Sequence, residues 1–149
     1  MASLDKSLIG STLPPIIADV EKGAIRQFAN AIGATDPIHT DEAAAKAAGY
    51  PAVVAPPTFV SCLALHNSEP TAMLETLGFE IPKLLHGEQH FDYHRPVCAG
   101  DTITLTTRIE DVYDKKDGLL EFMVQKTDAV NQAGDLCATL TAVIVQRHG

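Results

Sequence analysis

The sequence predicts an α+β fold in which an antiparallel sheet wraps around one buried helix. Three observations predict it. The apolar period changes from helical to two-residue near Leu85, strand-like runs joined by tight turns follow, and one earlier segment, Thr58 to Leu65, is apolar nearly all round and therefore belongs inside. At 149 residues the chain reads as a single domain over 1–149, long enough to bury a core without disulfides or metal.

Each element has a local cause. Leu13 to Val20, opened by Pro14-Pro15, reads as a short extended segment. Lys22 to Ile32 reads as a helix with Ile25, Phe28, Ala29 and Ile32 on one stripe, stopped by Gly33. Asp41 to Ala48 is a second short helix with Gly49 beyond its end, after which Pro51 and Pro56-Pro57 keep Ala52 to Ala55 extended. Thr58 to Leu65 is the buried helix. Asn67 to Gly78 reads as a looser, partly helical connection, and Pro82 excludes a strong strand before Leu84. Leu85 to Tyr93 and Thr102 to Tyr113 then alternate. Leu119 to Lys126 follows a turn at Lys115 to Gly118, and Leu136 to Val145 follows a turn at Asn131 to Gly134.

Charge and composition exclude several function classes. Nineteen acidic against eleven basic residues, a net charge of −8, lack the basic stripe that a nucleic-acid partner requires. Met1 to Gly10 holds one basic residue and no signal-length apolar run, and no segment approaches the roughly 20 apolar residues of a membrane span. Cys62, Cys98 and Cys137 are an odd, widely spaced set, so neither a disulfide framework nor a zinc ribbon is expected, and the expected compartment is the reducing cytoplasm.

Three blocks carry a family resemblance: Gly33-Ala34-Thr35-Asp36-Pro37-Ile38-His39 with its tail to Tyr50, Val54-Ala55-Pro56-Pro57-Thr58-Phe59, and Leu85 to Pro96 leading into Ala99-Gly100-Asp101. In this order and spacing the chain resembles, over roughly residues 10 to 147, a MaoC-like dehydratase of the N-terminal-domain type. These belong to the hotdog-fold superfamily of (R)-specific enoyl-thioester hydratases and (3R)-hydroxyacyl-thioester dehydratases. The resemblance implies a hotdog fold, a homodimer or a heterodimer with a second hotdog subunit, no cofactor, and an acyl-CoA or acyl-carrier-protein thioester held in a tunnel at the dimer interface.

The family's catalytic pattern is Gly, Asp, any residue, Asn, Pro, an aliphatic residue, His. Here His39 retains the histidine, Asp36 replaces the asparagine and Ala34 replaces the catalytic aspartate. Syn hydration of an enoyl thioester needs a carboxylate and an imidazole on one water, delivering hydroxide to the β-carbon and a proton to the α-carbon. A methyl group does neither. The position of a glycine amide that donates to the thioester carbonyl is held by Pro57, which has no N–H; the amides of Thr58 and Phe59 lie next along and are the candidate substitutes.

The resemblance thus implies His39 and Asp36 as the catalytic candidates and Ala34, Pro57, Thr58, Phe59 and Arg95 as the substrate-binding ones. Alternatives stand beside these roles. An Asp before Pro is a common turn initiator that bonds amides further along, and His39 reads equally as a loop histidine bonded to backbone. Arg95 reads either as a contact to a phosphopantetheine phosphate or as an ion pair with Asp92 or Asp101.

The strand from Leu85 holds a second polar cluster. A strict period of two puts His86, Glu88, His90, Asp92 and His94 on one face. Same-face neighbours lie about 7 Å apart, too far for one ion to take more than an adjacent pair, so no metal site is expected. That face is expected to meet a partner subunit, pack under loops, or line the mouth of the acyl site. Three activities fit the whole: an active hydro-lyase, a non-catalytic subunit that binds the acyl chain beside a catalytic one, and a thioesterase using Glu88 or Asp36.

Overall fold

A computed structural model of the chain describes residues 3–66, 69 and 71–149. One five-stranded sheet has the order β1-β3-β4-β5-β2, with every pair antiparallel. Its strands are β1 (Ile16–Asp19), β2 (Leu84–Tyr93), β3 (Thr102–Lys115), β4 (Leu120–Val130) and β5 (Leu136–Arg147). Helices α1 (Lys22–Ala31) and α2 (Glu42–Ala47) precede the buried segment, and α3 (Ala72–Thr76) follows it. The connection read from Asn67 to Gly78 contains α3; Asn67, Ser68 and Pro70 lie outside the described residues.

The segment expected to be buried on several sides, Pro57–His66, is a 3₁₀ helix rather than the α-helix its composition suggests, and it is buried along one side only, with Leu65 58% exposed. Long 3₁₀ runs are uncommon because the tighter turn worsens hydrogen-bond geometry. Here Pro56-Pro57 opens the run, the Phe59 amide donates to the Pro56 carbonyl at 2.9 Å, and the Ser61 hydroxyl donates to the Thr58 carbonyl at 2.8 Å, a three-residue reach that suits the tighter winding. Phe59, Val60 and Leu63 are its buried residues. Phe59 packs edge-on against Phe28 at 5.5 Å between ring centres. Burying a side chain of that size contributes roughly 1.5–3 kcal/mol.

Helix α1 buries Ile25 and Ala29, whereas Ile32, placed on the same stripe by its spacing, is 52% exposed. The helix ends at Ala31 and the chain turns at Gly33, whose φ of +70° glycine adopts without the steric cost other residues meet. That turn swings Ile32 off the core.

The helix-covered face of the sheet carries two separate apolar clusters. One joins Ile103, Leu105, Ala129, Ala138 and Leu140 to Phe59, Val60 and Leu63. The other gathers Ile109, Val112, Met123 and Ile144 under Leu4, Leu77 and Phe79.

Strand β2 departs from strict alternation. Leu84, Leu85 and His86 pair with Gln146, Val145 and Ile144, but Glu88 pairs with Val143, leaving Gly87 as an extra residue. Such a bulge moves every later side chain to the other face. Paired residues share a face, so His86 lies on the inner face with Ile144, and so do Gln89, Phe91 and Tyr93, opposite Ala142, Leu140 and Ala138. Glu88, His90 and Asp92 are on the outer face. The five-residue polar row expected from the spacing is therefore broken at Gly87.

Candidate functional site

Asp36 opens the site. Its backbone is extended and its carboxylate accepts from the Ile38 amide at 3.1 Å, capping a 3₁₀ turn, Pro37–His39. That turn presents His39, whose Nδ1 lies 2.6 Å from the Val54 carbonyl oxygen. A carbonyl only accepts, so Nδ1 carries a proton toward it, and in the neutral ring the basic nitrogen is Nε2. The Val54 amide donates back to the Ile38 carbonyl at 2.9 Å, stapling the histidine turn to the extended segment. Ala55 donates to the Val97 carbonyl and Ala99 to the Val53 carbonyl, joining that segment to the loop after β2.

Between these loops lies a cavity of about 520 Å³. One wall is Ile38, His39, Tyr50 and Val54 to Pro57; the facing wall runs from Tyr93 to Val97; Val60 and Ala138 close the inner end. None of these lining residues carries a carboxylate. Tyr93 stacks on Phe91 with ring centres 5.5 Å apart, and burial pushes its phenol above the usual tyrosine range.

Of the seven residues singled out in the sequence, the structure brings His39, Pro57 and Arg95 to this cavity. Asp36 is exposed, with its carboxylate spent on the Ile38 amide. Ala34, half-buried, donates its amide to the Ala29 carbonyl and lies outside the lining, as do Thr58 and Phe59. The Phe59 amide is used inside its own helix, while that of Thr58 makes no backbone hydrogen bond among the described residues. Arg95 pairs with Asp135 at 3.6 Å, not with Asp92 or Asp101. Asp101 instead accepts from the Cys98 amide and from the Gln132 side chain, fixing the loop behind Val97.

Glu88, the other carboxylate weighed for hydrolysis, bonds His90 at 2.8 Å on the outer face of β2, away from the cavity. Among the described residues no group of three or more His, Cys, Asp or Glu side chains is arranged to hold a metal. Cys98 and Cys137 are buried thiols, pushed up by desolvation and then by the Asp101 charge. Spacing alone did not single out Tyr50, Tyr93 or the Val54 carbonyl. The nearest signal was the alternation of Phe91 and Tyr93, which already put both rings on one face.

A five-stranded antiparallel sheet packed on a central helix, with a histidine on a proline turn lining the cavity beside it, is the arrangement of the hotdog fold. A family model for the FAS1-like dehydratase domain region matches residues 7–140, and the chain belongs to that family. A UPF0336 protein of Saccharopolyspora erythraea is 35% identical over 145 residues, covering 97% of this chain and 92% of that protein. Among solved structures, the C-terminally truncated HadBC (3R-hydroxyacyl-ACP dehydratase) complex of Mycobacterium tuberculosis is similar with a TM-score of 0.76 and 28% identity, over 93% of this chain and 96% of that one. A MaoC-like dehydratase gives a TM-score of 0.83 and 26% identity, over 97% of this chain and 43% of that one. The membrane question has a narrower answer: no helix among the described residues is long and apolar enough to cross a bilayer.

Proposed function

We propose that this chain is a single hotdog domain of the cytoplasm that binds an acyl-CoA or acyl-carrier-protein thioester. It serves enoyl-thioester hydration and 3-hydroxyacyl-thioester dehydration as the substrate-holding subunit beside a second hotdog chain. One observation carries the reading: the cavity that holds His39 has no carboxylate in its lining, because Ala34 is a methyl group and Asp36 caps its own turn. The water that adds across the double bond has no acid here to complete the pair.

Pairing is supported by the sheet's edge. Strand β2 is terminal in the order, and its exposed side chains include Leu85 and Tyr93, each 49% exposed, a surface that natural edges seldom leave bare. The similar HadBC structure is a complex, which favours a different partner chain over a second copy.

One observation favours a catalytic part for this chain as well. The bond from Nδ1 to Val54 leaves the Nε2 of His39 ready to take a proton from water. With a protonated carboxylic acid from the partner subunit beside the same water, His39 takes the water's proton, hydroxide adds to the β-carbon, and the acid gives its proton to the α-carbon and is left as a carboxylate; the Thr58 amide is the donor left for the thioester oxygen.

Hydration of crotonyl-CoA separates the two. The purified chain alone is expected to be inert, and the co-purified pair active. His39→Ala in this chain then leaves the pair within about threefold of full activity if its role is to hold substrate, or lowers it by roughly 10²–10⁴ if His39 moves the proton. Hydration by the chain alone, abolished in His39→Ala, overturns the subunit reading.

A further inference from the structure

A second cavity, of about 120 Å³, lies between the central 3₁₀ helix and the inner face of the sheet, and Val60 lines both it and the His39 cavity. Its lining is unexpectedly polar. Sheet positions facing a buried helix are normally apolar, yet here they hold Thr107 on β3, Thr127 and Gln125 on β4, and Gln89 on β2. These residues form a belt. Thr107 pairs with Thr127, and in the adjoining row Gln125 and Gln89 flank Ala142, whose small side chain leaves the space. The belt separates the two apolar clusters of the core.

The belt is short of partners. Gln125 is 7% exposed, yet its amide nitrogen reaches only the Met123 sulfur, at 3.4 Å, and its oxygen has no hydrogen-bond partner among the described residues. Sulfur is a weak acceptor, and the Gln125 oxygen, which is not sealed from the cavity, has no protein donor among the described residues, so the carboxamide keeps hydrogen-bonding capacity to spare. The Thr107 and Thr127 hydroxyls share one bond of 2.7 Å, which leaves one of their two protons free. Buried polar groups in folded proteins are ordinarily satisfied, so the cavity calls for an occupant that can both accept and donate.

We propose that this cavity is the distal end of the acyl site. It takes a chain that carries a hydroxyl, which both accepts and donates, in preference to a plain alkyl chain. The proposal rests on the acyl-thioester reading above. A thioester entering beside His39 meets Val60, whose side chain also lines the belt cavity. There an alkyl tail leaves Gln125 unsatisfied, whereas a hydroxyl accepts from its amide nitrogen and donates to its oxygen.

The test is binding of a length series of straight-chain acyl-CoAs and of their ω-hydroxy counterparts to the full chain by titration calorimetry. At one chain length the hydroxy ligand is expected to bind about two- to tenfold more tightly, the return on one well-placed hydrogen bond. In Gln125→Leu that preference disappears, and an unchanged or raised melting temperature shows the fold intact; Thr107→Val is the second variant. Equal binding of plain and hydroxylated chains at every length overturns the proposal, and is the result expected if ordered water satisfies the belt. Failure of every acyl-CoA and of the matching acyl-carrier-protein thioesters to bind overturns the acyl-thioester reading, and this inference with it.

Discussion

Replacing Glu121 with leucine is expected to cost more stability than any other single change at the end of the sheet remote from the His39 cavity. The carboxylate is 5% exposed and bonds the His148 ring at 2.7 Å, the Leu4 amide at 3.0 Å and the Ser3 hydroxyl. His148 is 4% exposed, and its Nδ1 has no partner, so Glu121 is the polar contact that holds the ring. One carboxylate thus ties both ends of the chain to β4. Leucine fills similar space and leaves the imidazole and the Leu4 N–H buried and unpaired.

Breaking a buried pair from one side costs about 3–5 kcal/mol, which in a chain of this size lowers the melting temperature by about 6–20 °C. The acid side sharpens the test. Burial pushes the Glu121 carboxyl up, but the hydrogen bonds from Ser3, His148 and Leu4 and the His148 charge outweigh it and hold the group below the usual value of 4.5. A depressed folded value means the contribution is complete above the unfolded pKa and is lost as pH falls through the folded one. The gap between parent and variant should therefore be full near neutrality and shrink below about pH 4.5. Thermal melts followed by circular dichroism across that range measure it. Melting within about 2 °C of the parent near pH 7 refutes the reasoning.

Three further outcomes follow from contacts described above. A β-carbon on Gly87 sits 3.0 Å from a Val145 methyl and 3.1 Å from the Val143 carbonyl oxygen, so Gly87→Ala is expected to cost about 1–3 kcal/mol in urea unfolding and to weaken association through β2 in sedimentation. Asp36→Ala removes a cap and is expected to lower stability by about 1 kcal/mol, with Asp36→Asn near the parent; a loss of hydration in the asparagine variant instead marks the carboxylate as chemical. Asp101→Ala frees the Cys98 amide and the Gln132 side chain behind the cavity wall. It is expected to cost about 1–2 kcal/mol in urea unfolding and to raise the reactivity of Cys98 toward a thiol reagent.

The sheet was largely legible before the structure because alternation reports burial directly. In β3, Ile103, Leu105 and Ile109 are buried while Arg108 is exposed, and nothing distant is needed to sort them. Strand ends were less legible. Strand β4 runs to Val130 and β5 to Arg147, beyond the alternating stretch, because pairing with a neighbour continues the ladder after the apolar signal fades. The Gly87 bulge was hidden for the same reason: it exists relative to β5, and only the register reveals that His86 and Glu88 face opposite ways.

By itself the sequence determined where the helices and long strands lie, the inner face of β3, the class of protein, and the absence of the aspartate at Ala34. Each of these is a property of neighbouring residues or of a short motif. The turn-capping reading of Asp36 is equally local, since its carboxylate bonds the Ile38 amide two residues on. Only the tertiary structure decided that Val54 sets the His39 tautomer and that Arg95 meets Asp135. It also brought together the belt of Thr107, Thr127, Gln125 and Gln89 from three strands. The physical reason is reach. A side chain of a few ångströms meets whatever the fold brings to it, and in this chain the partners that settle the site lie 15 to 40 residues away in sequence.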